Sequence, residues 1–193
     1  MTKIKKHTQR EEYDECWLYI LLLTTLVILL GSLKTYTFRL LGADITYAIF
    51  FLPLIYFIAN YITKKYDYKK TVAAIAISGV TSICFMAILY FALGKNLVLS
   101  SLSGEFCGYV ISQFVNLTIY SFLMNNTKSP SPLIFLTYIF SLIIFYMFYT
   151  LIYLNMIILD TFWTGYLLTI GIQSLICIPL TIVDKLIKRG KDN

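Results

Sequence analysis

One carboxylate interrupts a long apolar run: Glu105, in Leu102-Ser103-Gly104-Glu105. An acid at membrane depth is costly unless it is paired or wet, so Glu105 is a functional-site candidate. Tyr109, Ser112, Gln113 and Asn116 follow it at i+4, i+7, i+8 and i+11, a single polar stripe if the segment is helical. Such stripes face the interior of a helix bundle. There they either line a cavity for a polar ligand or join helices through hydrogen bonds worth about 0.6 kcal/mol each. Asn60, Ser141, Tyr149, Thr169 and Gln173 add polar groups in other apolar runs, and Lys34 closes the first run. Serine and threonine can bond their own helix backbone, so Asn60 and Gln173 carry more weight. For Lys34 the alternatives are snorkelling to the interface and binding a polar or anionic group. The rings Phe140, Phe145, Tyr146, Phe148 and Tyr149 either belong to an interfacial belt or stack around a flat heterocycle.

None of this chemistry is catalytic. The single histidine, His7, lies in a charged tail, and the sequence holds no Gly-rich phosphate loop, metal-ligand spacing or nucleophile–base pair. Cys16, Cys84, Cys107 and Cys177 are scattered, as small packing residues would be. The expectation is a non-enzyme without metal or cofactor.

The elements that must position these residues follow from composition. Hydrophobic residues make up 59% of the 193 and charged residues 13%, against roughly 25% charged in a soluble domain. Such a chain needs lipid as solvent, and lipid demands that each backbone polar group be paired internally, by helices or a closed barrel. Runs such as Trp17 to Leu33 and Leu133 to Tyr153 do not alternate as barrel strands do. Six segments reach the roughly 20 residues of a span: 17–36, 45–63, 71–93, 99–124, 131–153 and 161–183. Asp44 is placed to cap the second, Ser129-Pro130-Ser131-Pro132 to start the fifth, and Asp160-Thr161 to cap the sixth. Pro53 and Pro179 each remove a backbone bond and invite a kink. The first run is too long for a signal peptide and lacks a clear cleavage site.

Of the 16 basic residues, all but Lys34, Arg39 and Lys95 fall in the two tails and in the loops after the second and fourth segments. Cytoplasmic loops carry the excess of lysine and arginine. The expectation is therefore an all-α integral membrane protein, a compact bundle of six transmembrane helices with both termini cytoplasmic. Residues 1–16 and 184–193 form tails, and 17–183 the membrane domain. The net charge of +6 encodes orientation in the bilayer, and no nucleic-acid partner is expected.

Four patches resemble the VUT family, the bacterial queuosine-precursor transporters also described as putative vitamin-uptake proteins. They are Leu30-Gly31-Ser32-Leu33-Lys34; Phe50-Phe51-Leu52-Pro53-Leu54 running through Asn60 and Thr63 to Tyr66-Asp67-Tyr68-Lys69-Lys70; Gly108 to Asn116; and Tyr166-Leu167-Leu168 with Ile178-Pro179-Leu180-Thr181 and the basic tail. The likeness covers most of the chain in order. It implies a six-helix uptake protein of the bacterial cytoplasmic membrane, with a small-molecule substrate. The chain departs from the family at interior polar positions. Asn60 and Tyr149 stand where aspartates are usual, Thr137 where an arginine is, Thr169 and Gln173 where a lysine and a glutamate are, and Glu105 where a small residue is. Those departures imply an altered substrate.

Two other readings stay open. A substrate-capturing subunit of an energy-coupling-factor vitamin importer is similar in size and helix number, and would have an energising ATPase module as partner. Its docking helix usually carries alanines four apart, which Leu21-Leu22-Leu23-Thr24-Thr25-Leu26 lacks. The other reading is a bundle that has lost its substrate groups and serves as a membrane partner protein. The transporter reading expects Glu105, Gln113, Asn60 and Gln173 to converge on one cavity.

Overall fold

A computed structural model describes the backbone over residues 2–33, 36–93, 99–126, 131–153 and 160–189. Side chains are described within 14–33, 36–42, 44–93, 103–126, 133–149 and 167–186. Lys34 lies outside the described residues, as do the side chains of residues 1–13 and 187–193 in the two tails. In chain order the elements are α1 (Thr2–Leu33), a hairpin of β1 (Thr37–Leu40) and β2 (Ala43–Thr46), a 3-10 turn (Tyr47–Phe50), α2 (Phe51–Lys65), α3 (Tyr68–Ala92), α4 (Leu99–Asn126), α5 (Ser131–Tyr153) and α6 (Asp160–Arg189).

Six helices form, and five of them are long and apolar enough to cross a membrane; within α5 the described apolar stretch, Leu133–Tyr149, is shorter. This is a multi-pass membrane protein. The first span begins at Asp14, but α1 as a helix starts at Thr2 and so continues beyond the apolar stretch. Helix α5 begins at Ser131 with Pro132 in its first turn, where a missing N–H costs nothing. Helix α3 is capped by Asp67, whose side chain accepts from Lys70 N at 2.6 Å.

The second segment is a correction. A helix from residue 45 capped by Asp44 is expected, yet Asp44 lies in β2, opposite Arg39 in the antiparallel register. The helix proper starts only at Phe51, after the 3-10 turn, whose N-cap residue is Thr46 with no side-chain bond. The two-residue turn is Leu41-Gly42, both with positive φ, 50° and 84°. That pair matches the twist of a tight hairpin, and glycine supplies the second position without strain. Nothing lies within 4 Å of where a Gly42 Cβ would stand, so the requirement there is conformational rather than steric. The expected all-α chain thus carries one short β-hairpin between its first two membrane helices.

Helix α2 is the axis of the bundle: it packs against α1, α3, α4, α5 and α6 alike. Its buried side, Leu52, Ile55, Tyr56, Ala59, Asn60 and Ile62, joins a core built with Leu23 and Val27 of α1, Leu117 and Tyr120 of α4, and Tyr138 and Leu142 of α5. Elsewhere leucine, isoleucine and phenylalanine face outward, among them Leu18, Ile88, Phe91, Phe122 and Leu175, as a lipid-exposed surface requires.

Candidate functional site: a polar seam along the central helix

Tyr56, Asn60 and Lys64 succeed one another at four-residue spacing, so α2 presents them as a ladder down one side. Each rung finds a partner on another helix. At the first rung the Tyr56 hydroxyl donates to Ser141 O on α5 at 3.0 Å. At the second, Asn60 and Asn116 of α4 exchange amide bonds: Asn116 Nδ2 donates to Asn60 Oδ1 at 2.8 Å, and Asn60 Nδ2 to Asn116 Oδ1 at 3.4 Å. At the third, Lys64 Nζ donates to Asp184 of α6, at 3.1 Å to its carbonyl and 3.4 Å to its carboxylate. Tyr120 of α4 donates its hydroxyl to the same carboxylate at 3.3 Å.

The polar stripe of α4 does face inward, with Glu105, Tyr109, Ser112, Gln113 and Asn116 all buried. Its residues divide among several neighbours. Tyr109 shares a hydrogen bond of 2.7 Å with Ser78 of α3. Ser112 donates to Tyr109 O of its own helix at 3.0 Å. Gln113 is wholly buried, yet neither its Nε2 nor its Oε1 has a hydrogen-bond partner. The Tyr138 hydroxyl on α5, also buried, interacts with the Asn60 side chain but reaches no partner at full hydrogen-bond geometry. A buried amide or hydroxyl left unpaired costs about 1–3 kcal/mol, so these are the groups from which a polar ligand has most to gain.

Glu105 sits apart from this seam. It packs where α1 and α3 meet α4, and a Cβ at Gly31 would stand 2.8 Å from its Oε1. A side chain there would make the carboxylate shift, with Met86 Sδ next nearest at 3.4 Å. Beside it lies a cavity of about 20 Å³ lined by Val27, Leu30, Ser82, Met86, Phe106 and Tyr109. That is room for about one water molecule.

Gln173 also differs from its expected role. Its Nε2 donates to Ile49 O at 2.9 Å, and Ile49 is four residues before Pro53. In an unbroken helix Ile49 O would accept the N–H of residue 53, which proline lacks. The Pro53 kink therefore becomes a junction between the 3-10 turn and α2, and α6 supplies the missing donor. Gln173 Oε1 has no partner.

The expected convergence of Glu105, Gln113, Asn60 and Gln173 on one cavity is thus not what the structure has. Glu105 belongs to the α1–α3–α4 junction, Gln173 to the start of α2, and Asn60, Asn116 and Gln113 to the central seam. Ser141 contributes its carbonyl to the seam, while its hydroxyl donates to Thr137 O at 2.8 Å. Thr169 is half-buried on α6. Tyr149 is half-buried and stacks on Phe145 at 6.1 Å, with Tyr146 edge-on to Phe145 at 5.2 Å. These three rings of α5 pack on one another, and Phe140 is half exposed on the outside, so they do not frame a slot.

The sequence reading missed Tyr56, Tyr120, Tyr138, Lys64 and Asp184. The four-residue spacing of Tyr56, Asn60 and Lys64 carried the signal for two of them. At the Lys64 end a second pair, Lys65 with Glu15, ties α2 to α1, and Tyr19, Tyr61 and Tyr66 surround it. Lys65 Nζ lies 5.3 Å from the Tyr19 ring centre and 5.4 Å from that of Tyr66. Burial pushes the Tyr66 phenol above its ordinary pKa.

Glu15 near the start of the first span and Asp184 near the end of α6 both reach the last turn of α2, so they lie at one end of the bundle. The hairpin caps the other end, with Ile45 buried beneath it. Groups of three or more histidine, cysteine or carboxylate side chains able to hold a metal ion do not occur among the described residues. No family model matches the chain, and no curated protein or solved structure matches it either.

Proposed function

We propose that this protein is an uptake transporter of the queuosine-precursor (VUT) type, with six spans in a bacterial cytoplasmic membrane and both termini in the cytoplasm. Its substrate is a small, nucleobase-like or vitamin-like heterocycle, received in the seam between α2, α4 and α5. The observation that carries this reading is Gln113, a fully buried carboxamide with both polar atoms unpaired. A carboxamide offers one donor and one acceptor side by side, the complement of an amide-like edge on a flat ring. The neighbouring Asn60–Asn116 pair and Tyr138 are uncharged, which favours a neutral ligand over an ion. The residue pattern shared with the VUT family along most of the chain supports the same reading. The basic residues at the Lys64 end support a cytoplasmic placement of that end.

The test is uptake of radiolabelled queuosine precursors by cells with and without the protein, alongside a Gln113→Leu variant. Uptake that depends on the protein and falls at least several-fold in the variant is the expected result. Equal uptake in all three excludes the family's own substrates. Co-purification of the chain with an ATPase pair would instead favour the energy-coupling-factor subunit.

A further inference from the structure

The Lys64–Asp184 pair lies one helical turn beyond the Asn60–Asn116 pair, on the same sides of α2 and α4, since Lys64 is four residues from Asn60 and Tyr120 four from Asn116. Both charged side chains are nearly enclosed, at 10% and 5% exposure. A buried ion pair is poor evidence of stabilisation, because desolvation offsets most of its attraction; its best-attested uses are in specifying one arrangement over another. Here it joins the central helix to the last one, and Tyr120 adds α4 to the junction. Five residues before Asp184, Pro179 interrupts α6. The proline leaves Leu175 O without its helical donor and gives the helix a place to bend. A bend there carries Asp184 away from Lys64 while Cys177 and Gln173, on the other side of the proline, stay with the bundle.

We infer that Lys64, Asp184 and Tyr120 form the inner gate of the seam, a latch that closes its basic end and opens when α6 hinges at Pro179. This inference rests on the transport reading and gives it a moving part. Closed, the latch separates the seam from the solution that bathes the basic loops. Open, it exposes Asn60, Asn116 and the buried Cys177, which shares one core cluster with Tyr56 and Tyr138.

Cys177 is the natural reporter. In the full chain with Cys16, Cys84 and Cys107 replaced by alanine, a membrane-impermeant maleimide is applied to vesicles of either orientation. The parent should label slowly from both faces. Asp184→Asn should label faster by about ten-fold or more, and only from the face bearing the basic loops, because the latch no longer holds the closed population. Should Asp184→Asn fail to fold, as judged by size-exclusion profile, Tyr120→Phe removes one hydrogen bond only and should give a smaller increase from the same face. A folded variant that labels no faster than the parent overturns the gate, and so does an equal increase from both faces, which is general loosening. Uptake measured in parallel separates the two ideas. Faster one-sided labelling without uptake of any heterocycle sinks the transport reading alone, whereas unchanged labelling with uptake intact sinks the gate alone.

Discussion

The two ends of the bundle are held by different chemistry. At the basic end, full charges bind one helix to another: Lys64 to Asp184 and Lys65 to Glu15, with tyrosine rings packed around them. At the hairpin end the ties run through the backbone, with Gln173 donating to Ile49 O and a turn that forces Leu41 into the left-handed region. The difference teaches which end is specified by partners and which by chain conformation. Removing one charge of the enclosed Lys64–Asp184 pair leaves its partner stranded in a poor solvent, whereas the Lys65–Glu15 pair is open to water and a lost backbone tie leaves one carbonyl.

Several substitutions break or sharpen that contrast. Asp184→Ala strands Lys64 and should destabilise the protein most, by about 3–5 kcal/mol, seen as a large drop in detergent thermal unfolding temperature. Gln173→Leu should cost less, about 1–3 kcal/mol, through the orphaned Ile49 carbonyl. The same change made together with Pro53→Ala should cost clearly less, because residue 53 then supplies its own N–H. Additive losses in that double-mutant cycle would show that Gln173 does not compensate the proline. In the seam between the ends, Asn60→Leu alone should cost about 1–2 kcal/mol. Pairing it with Asn116→Leu should recover most of the loss, since no polar atom is then left unmatched. The smallest effect is a gain: Leu41→Gly should stabilise the hairpin by no more than about 1 kcal/mol by relieving its positive φ. A loss of stability at that position would mean that the added freedom of the unfolded chain outweighs the relief of backbone strain, since the Leu41 side chain is exposed.

Much of this architecture was legible in apolar run length, because lipid leaves the backbone few alternatives. The start of α5 at Ser131 could be read from its two prolines, and the inward stripe of α4 from its spacing. The hairpin was not legible, since four-residue strands carry almost no periodic signal and Leu-Gly is an unusual turn pair for the conformation it adopts. Asp44 looked like a cap because aspartate before an apolar run usually is one; here cross-strand pairing with β1 claims that residue first. The division of the polar groups was also hidden. That Gln173 serves a carbonyl 124 positions away depends on how α6 crosses α2, which no local pattern encodes. Glu105 was visible as an anomaly, but its approach to Gly31 came only with the packing of α1 and α4 on α3.

Lys64 and Lys65 are neighbours on one turn, about 100° apart around α2, so each reaches toward a different helix. One grips the last helix of the chain and the other the first. The two extremities of the bundle therefore meet, electrostatically, on a single turn of an internal helix. That one turn thus couples the first and last helices by charge, beside the apolar packing of α1 on α3 and of α6 on α5.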